Sequence, residues 1–254
     1  NSRKSKQLRY VFGDTSEVLS GETMASWITG SSNGQVMLDQ QKVAAFVAKL
    51  AATYDTAGKP RTFKGVSGAE YQLTGPYGWK IDQAGEIAAL TELIQSGSAW
   101  QSGDSADREP VYSQVAASRT GSDWGNTYVQ VDLSGQHVYM IKDGAAVWDA
   151  PCVTGNVSKD YTTPAGIYSL TYKEKDRILR GKKLENGKYE YETHVDYWMP
   201  FNGGIGLHDA PWRSKFGGTI YQTSGSHGCV NLPPASVPAL YDMLYKGIPV
   251  ICTP

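Results

Sequence analysis

Thiols and imidazoles are scarce in this chain. Three cysteines and four histidines are spread over 254 residues, and no Cys-x-x-C occurs. That excludes a dithiol redox motif and a zinc knuckle. A set this small in a chain this long also excludes a disulfide framework. A single bridge is the most that Cys152, Cys229 and Cys252 allow. Blocks of like charge are missing as well. The formal net charge is -1, and the mildly basic opening Arg3-Lys4-Ser5-Lys6 reads as a solvated terminus. Nucleic-acid binding therefore has no electrostatic footprint. No apolar run approaches the roughly 20 residues of a spanning helix, and no secretory signal is visible from Asn1.

What remains is ordinary globular composition, 40% hydrophobic and 19% charged, which allows a core of normal size. The length suits one large domain or two modest ones. In the first part, Asn33-Gly34 lies between two apolar stretches and predicts a hairpin. Asp39 has the chemistry of a helix N-cap. Val43, Phe46, Val47, Leu50, Ala51 and Tyr54 follow at helical spacing, which predicts a helix to about Tyr54. Short strand-like pieces fill Arg61 to Ile81. Asp82 is a second N-cap, and Ile87, Leu90 and Ile94 line a helix that Gly97 closes. The polar stretch Ser96–Pro110 reads as a loop. A change of texture near Gly125 marks the boundary between two domains, 1–125 and 126–254.

From Tyr128 the pattern is β. Ser134-Gly135 and Asp143-Gly144 read as hairpin turns. "TTPAGIY", Thr162 to Tyr168, reads as a turn followed by a strand. His137 and His194 fall among strand-like residues as surface, cross-strand or core groups, with no acid or thiol spaced to make His194 a site. Near the end, Pro233 and Pro234 suit a helix start. Val237, Leu240, Tyr241 and Leu244 mark one face of it and Gly247 its end. "IPVIC" returns as a strand.

The chemistry concentrates in "SGSHGCVN", Ser224 to Asn231. A free thiol is only a few per cent ionised at neutral pH, so a nucleophilic Cys229 needs a base or a positive field. His227 lies two residues away, but Gly228 between them permits a turn. In such a turn backbone N–H groups could converge as an oxyanion hole. His208, in "GIGLHDAPW", is then the base, if the following loop folds back onto Cys229. Its tautomer needs a third group, from the "SGS" segment or Asp209. Two other readings stay open at this point: a zinc site with His208, His227 and Cys229 as ligands, and a buried structural cysteine.

His208, a spacer and then Ser226-His227-Gly228-Cys229-Val230-Asn231 together resemble the signature of the L,D-transpeptidase (YkuD-like) catalytic domain. "TTPAGIY" resembles that family's Thr-Pro-x-Gly strand start. The likeness covers about Asn126 to Pro254. "KVAAFVAKLAATYDTAGKPRTF" and "YGWKID" resemble a domain found beside such catalytic domains and credited with peptidoglycan binding. The whole chain is similar to enterococcal members of the family. The resemblance implies an α+β first domain and a mainly-β catalytic domain, a YkuD-like β-sandwich with a short helix near the C-terminus. It implies a cysteine acyltransferase, with no cofactor and no metal, that acts on peptidoglycan stem peptides as donor and acceptor. Cys229 would release D-Ala from a tetrapeptide stem and pass the acyl group on to form 3→3 cross-links. His208 would be the base, oriented by the Ser226 carbonyl, and the His227, Gly228 and Cys229 N–H groups would hold the oxyanion. Asn231 stands where many members carry Arg. Carbapenems would acylate Cys229. The implied place of work is the cell wall or the outer face of the cell membrane, with room for an anchor outside this chain.

Overall fold

The computed structural model describes residues 7–97 and 106–254. The basic opening Arg3–Lys6 and the middle of the polar stretch that follows Ser96 lie outside the described residues. The chain forms two compact units. The first comprises residues up to Ala57 and Gly78–Gly125, the second Gly58–Tyr77 and Asn126–Pro254.

In the first unit, β1 (Gln7–Phe12) and β2 (Thr15–Ser20) form an antiparallel hairpin. A short helix α1 (Gly21–Ser26) leads to β3 (Ile28–Ser32) and β4 (Gln35–Leu38). Asn33 and Gly34 join these strands with φ of 50° and 80°, the left-handed pair that a tight hairpin needs. Helix α2 (Gln40–Tyr54) starts where Asp39 accepts from the Gln41 and Lys42 N–H groups. Such a cap stabilises a helix by about 1 kcal/mol. Val43, Val47, Leu50 and Ala51 are its buried face.

After β5 (Arg61–Lys64) and β6 (Glu70–Leu73), the chain returns to the first unit through β7 (Lys80–Ile81). Asp82 then caps α3 (Gln83–Gln95) through the Gly85 N–H. Leu90 and Ile94 face the core, as their spacing predicts. Glu86 is also fully buried there, which the apolar pattern does not reveal. It accepts from Tyr10 Oη at 2.6 Å, the Val111 N–H at 2.8 Å, and Arg108 at 2.6 and 2.8 Å. A buried carboxylate is tolerable only with this many partners. The polar stretch read as a loop ends in a strand, β8 (Ala106–Arg108), parallel to β1. Its hydrogen-bond partner lies about 100 residues upstream, outside any local pattern. β9 (Tyr112–Gln114) pairs with β7.

The second unit is a sandwich. One sheet has the order β12-β11-β10-β18-β13, from β10 (Tyr128–Asp132), β11 (His137–Lys142), β12 (Ala145–Pro151), β13 (Gly166–Ser169) and β18 (Pro249–Thr253). The other has the order β14-β15-β16-β17, from β14 (Glu174–Arg180), β15 (Glu192–Asn202), β16 (Ile205–Asp209) and β17 (Val230–Leu232). α4 (Ile220–Ser224) and α5 (Val237–Met243) complete it. Val129, Val131, Val138, Met140 and Val250 from the first sheet share one core with Met199, Phe201, Leu207, Val230 and Leu232 from the second. Period-2 alternation supplies these inward faces. Together with the helix-containing first unit, this matches the fold class the resemblance implies.

Several local expectations shift. Asp143 and Gly144 form the expected tight turn, with φ of 52° and 81°. At Ser134-Gly135 the turn is longer, and the left-handed residue is Gln136 at φ 52°. The buried Gln136 amide makes up for that backbone geometry by bonding Leu133 O at 2.6 Å and Thr154 Oγ1 at 2.7 Å. Pro233 and Pro234 precede α5 rather than start it, and Pro238 occupies its first turn, where a missing N–H is harmless. The helix ends at Leu244, so Gly247 (φ 90°) serves the next turn instead.

The division at residue 125 places Gly58–Tyr77 with the first domain; the structure groups it with the second. Backbone pairing is the reason. Tyr77 N–H donates to Ile167 O at 3.1 Å, and Ile167 N–H donates to Thr74 O at 3.0 Å. A Cβ on Gly75 would lie 2.1 Å from Ile167 O. Gly75→Ala should therefore lower the stability of the second unit by about 1–3 kcal/mol, the usual cost of overpacking. A thermal unfolding transition unchanged by the substitution would show that this approach is not tight.

Candidate active site

β16 and β17 run parallel, with Leu207 level with Val230, His208 with Asn231, and Asp209 with Leu232. Paired residues share a face and neighbours alternate. Leu207, Val230 and Leu232 point into the core. His208 and Asn231 therefore take the opposite face. Cys229, one step ahead of β17, lies two residues before Asn231 and falls on that face too. A parallel pair needs a crossover, and the chain makes it between Asp209 and Val230, through α4. Folding back of this loop brings His208 and Cys229 onto the wall of one cavity of about 270 Å³.

His208 is buried, 3% exposed, with the rings of Trp198 and Trp212 centred 6.0 and 5.8 Å away. Its Nδ1 lies 2.8 Å from Asp209 O. A carbonyl only accepts, so Nδ1 carries the proton and Nε2 is the free base nitrogen of the neutral ring. Burial lowers the His208 pKa; the Asp209 carbonyl and charge pull the other way, and the Arg213 charge adds to the lowering. The orienting group is therefore the Asp209 backbone, not the Ser226 carbonyl that the resemblance implies. Ser226 O instead accepts from the Asn156 N–H at 2.9 Å. The Asp209 carboxylate is engaged elsewhere, accepting from the Tyr197 N–H at 2.8 Å.

Cys229 is partly buried, and its Sγ donates to Gly204 O at 3.5 Å. Burial pushes its thiol up to about 11, against a hydrogen bond to the Gly206 backbone that lowers it. At neutral pH Cys229 thus rests as a thiol and His208, on the wall of the same cavity, as a neutral imidazole. Cys152 and Cys252 are both free and fully buried in the core.

The turn that carries Cys229 is clamped on two sides. Ser226 N–H donates to Thr154 O at 3.0 Å, and Asn231 and Val153 exchange backbone bonds of 2.9 Å. Gly228 has φ of +117°, which a side chain would strain. Its N–H donates to Ser226 Oγ at 3.1 Å, and Ser226 Oγ donates to Cys229 O at 2.5 Å. Gly228 is thus a turn residue with its N–H already engaged, and it does not fit the expected oxyanion donor. The His227 and Cys229 N–H groups make no hydrogen bond among the described residues. Thr163 Oγ1 donates to Gly228 O at 2.7 Å and accepts from the Gly155 N–H at 3.0 Å. Thr163 lies in the quoted "TTPAGIY" stretch, but its clamp on the nucleophile turn is visible only in three dimensions.

His227 lines the same cavity, but its ring is engaged by other side chains. Its ring lies against Tyr161 and Tyr191, with centroids at 4.5 and 4.9 Å, and its Nε2 is 3.6 Å from Glu190. Among the described residues no three His, Cys, Asp or Glu side chains converge as metal ligands, so the set proposed for zinc does not assemble. His137 pairs with Asp149 at 2.6 Å. His194, exposed, pairs with Asp176 from the adjacent strand at 2.5 Å, a partner its own segment does not show. Asn231 lines the cavity with its Oδ1 buried and unpartnered among the described residues.

A second cavity, of about 320 Å³, also reaches Cys229 and is lined by Tyr172, Arg177, Arg180, Trp198 and Gly204. Leu179, Tyr191 and Cys229 belong to both cavities. The nucleophile thus borders both chambers.

The profile of the L,D-transpeptidase catalytic domain (YkuD) matches residues 126–252. The chain belongs to this family. Over its whole length it is similar to two solved L,D-transpeptidase structures. One is the Ldtfm–avibactam carbamoyl enzyme, 31% identical with a TM-score of 0.79, covering 100% of this chain and 96% of that one. The other is an Enterococcus faecium L,D-transpeptidase carrying a Cys-to-Ser substitution, 30% identical with a TM-score of 0.78, covering 100% and 97%. It is also 31% identical over 97 residues to L,D-transpeptidase 2 of Mycobacterium tuberculosis. That match spans 36% of this chain and 23% of that protein. L,D-transpeptidases of this family are cysteine-nucleophile enzymes, and this chain carries a cysteine on the wall of its cavity.

Two measurements probe the L,D-transpeptidase site. Thr163→Val leaves the Gly228 carbonyl and the Gly155 N–H without their partner, so urea denaturation should show a loss of about 1–3 kcal/mol; an unshifted midpoint would contradict the clamp. Iodoacetamide alkylation of Cys229 should keep rising with pH through 9, because thiolate gains tenfold per unit below a pKa of about 11. A plateau near neutrality would instead reveal a preformed thiolate–imidazolium pair.

Proposed function

We propose that this chain is a peptidoglycan L,D-transpeptidase working at the cell wall or the outer face of the cell membrane. The observation that carries the reading is His208, with Nε2 free, sharing one cavity wall with Cys229. Cys229 attacks the carbonyl of the third residue of a tetrapeptide stem while His208 Nε2 takes the thiol proton. The sulfur–carbon bond forms and the oxyanion accepts from the His227 and Cys229 N–H groups. The carbon–nitrogen bond then breaks, and His208 returns the proton to the departing D-Ala amine. An acceptor side-chain amine attacks the thioester, His208 takes its proton, and the sulfur leaves to be reprotonated. The product is a 3→3 cross-link, and neither metal nor organic cofactor takes part.

A neutral thiol and a neutral base suit this chemistry. Proton transfer occurs as the bond forms, so no buried ion pair has to be held at rest. β-Lactams offer the same kind of carbonyl, and carbapenem acylation of Cys229 follows from the same step. The first unit is assigned peptidoglycan binding, on its resemblance to domains that accompany such catalytic domains. No helix among the described residues is long and apolar enough to cross a membrane.

Intact-protein mass after incubation with a carbapenem tests the reading. Wild type should gain one inhibitor mass, and Cys229→Ala should gain none. His208→Ala should lose nearly all acylation, roughly 100-fold or more for loss of a general base. His227→Ala should lose less, because it keeps its backbone N–H. No adduct and no release of D-Ala from a stem peptide would favour a non-catalytic wall-binding module. Turnover abolished by a chelator would favour a zinc peptidase.

A further inference from the structure

Arg213 follows His208 by five residues and lines the same cavity. Its backbone N–H closes a turn on Ala210 O at 3.0 Å, and its Nη1 donates to Ser224 O at 2.8 Å, at the end of α4. The guanidinium is thus held in place from two directions. Among the described residues one of its five N–H donors has a partner. Its Nε is buried with no partner among the described residues. No acidic side chain among those residues forms an ion pair with it, and burial alone lowers its pKa. The arginines of the other cavity differ: Arg177 pairs with Glu174 at 3.3 Å and Arg180 with Glu192 at 2.8 Å. A half-buried, preorganised cation without a counter-charge, on the wall of a reaction chamber, is poised for an anionic ligand.

The chemistry of the proposed transfer says which anion. His208 must hand a proton to the departing amine, so the leaving residue lies on the His208 side of Cys229. In a tetrapeptide donor that residue is the last one. Its α-carboxylate is separated from the departing nitrogen by a single carbon. We propose that Arg213 binds the free α-carboxylate of the leaving residue, and so restricts the donor to stems that end one residue beyond the attacked carbonyl. This rests on the transpeptidase reading. It gives the site a way to reject longer stems and internal peptide bonds, in which an amide replaces the carboxylate and Arg213 stays unpaired.

The test uses the full chain and two synthetic tetrapeptide donors, identical except for a C-terminal carboxylate or carboxamide. Release of the terminal residue gives kcat/KM for each. Wild type should prefer the acid. Arg213→Gln should lower kcat/KM for the acid roughly 10- to 100-fold, as expected for loss of a charged hydrogen-bonding partner. It should change the amide little, so the preference collapses. Arg213→Lys should keep part of the preference. Alkylation of Cys229 by neutral iodoacetamide at the wild-type rate would show that the variant's site is intact. Equal losses on both donors would assign Arg213 a structural role and overturn the proposal. So would a loss that tracks a carboxylate on the third residue's side chain, read with donors bearing or lacking it. If wild type releases nothing from either donor, the transpeptidase reading itself fails, and this proposal fails with it.

Discussion

A parallel pair of strands, β16 and β17, holds His208 level with Asn231. Slipping it by one residue would turn every side chain on β17 to the opposite face. Leu207, Val230 and Leu232 prevent the slip because the sandwich core holds them on their side. Hydrophobic burial of three aliphatic residues thus decides where an imidazole and a thiol lie. The polar face contributes little to that choice. It inherits its geometry from the apolar one, and the crossover from Asp209 to Val230 has only to span the distance.

The turn at Cys229 adds a second constraint. Strand pairing ends there, so its backbone groups need other partners. Thr163, Ser226 and the 153–156 segment supply them. Ser226 closes the turn on itself, while Thr163 and the 153–156 segment join it to other parts of the chain, which is why a glycine with an unusual φ can sit there without loosening the nucleophile. Burial then keeps both Cys229 and His208 uncharged at rest. The environment that disfavours charge in the resting state also strengthens hydrogen bonds to charge that develops during reaction. The resting pair is quiet and the reacting one is supported.

Discontinuity of the chain belongs to the same picture. Residues 58–77 leave the first unit, pair with Ile167 in the second, and return. Ile167 follows Gly166 directly in the stretch that begins with Thr163. The stretch Thr74–Tyr77 that follows the β5–β6 hairpin therefore braces the far end of the segment whose near end clamps the nucleophile turn. A substitution in this stretch acts on the second unit, although it lies within the first hundred residues.

Local physics was legible in the sequence. Asp39 and Asp82 are caps because a short acid before a periodic apolar run has one good use. Asn33-Gly34 and Asp143-Gly144 are turns because few residues tolerate positive φ. The ordered set from His208 to Asn231 pointed to one family because its residues have a joint chemical purpose. Whatever depends on partners far along the chain was not legible. Ala106–Arg108 becomes a strand only because β1 lies beside it. The Asp209 carbonyl, not that of Ser226, orients His208, because the register and the local turn decide which carbonyl reaches Nδ1. Thr163, Gly228 and Arg213 took their roles from atoms 8 to 65 residues away. By itself the sequence determined the class of chemistry and most of the secondary structure, since both follow from residue types at short spacing. Only the tertiary structure decided which backbone groups are engaged, which charges stay unpaired and which side chains meet, since those follow from long-range packing that no short pattern encodes.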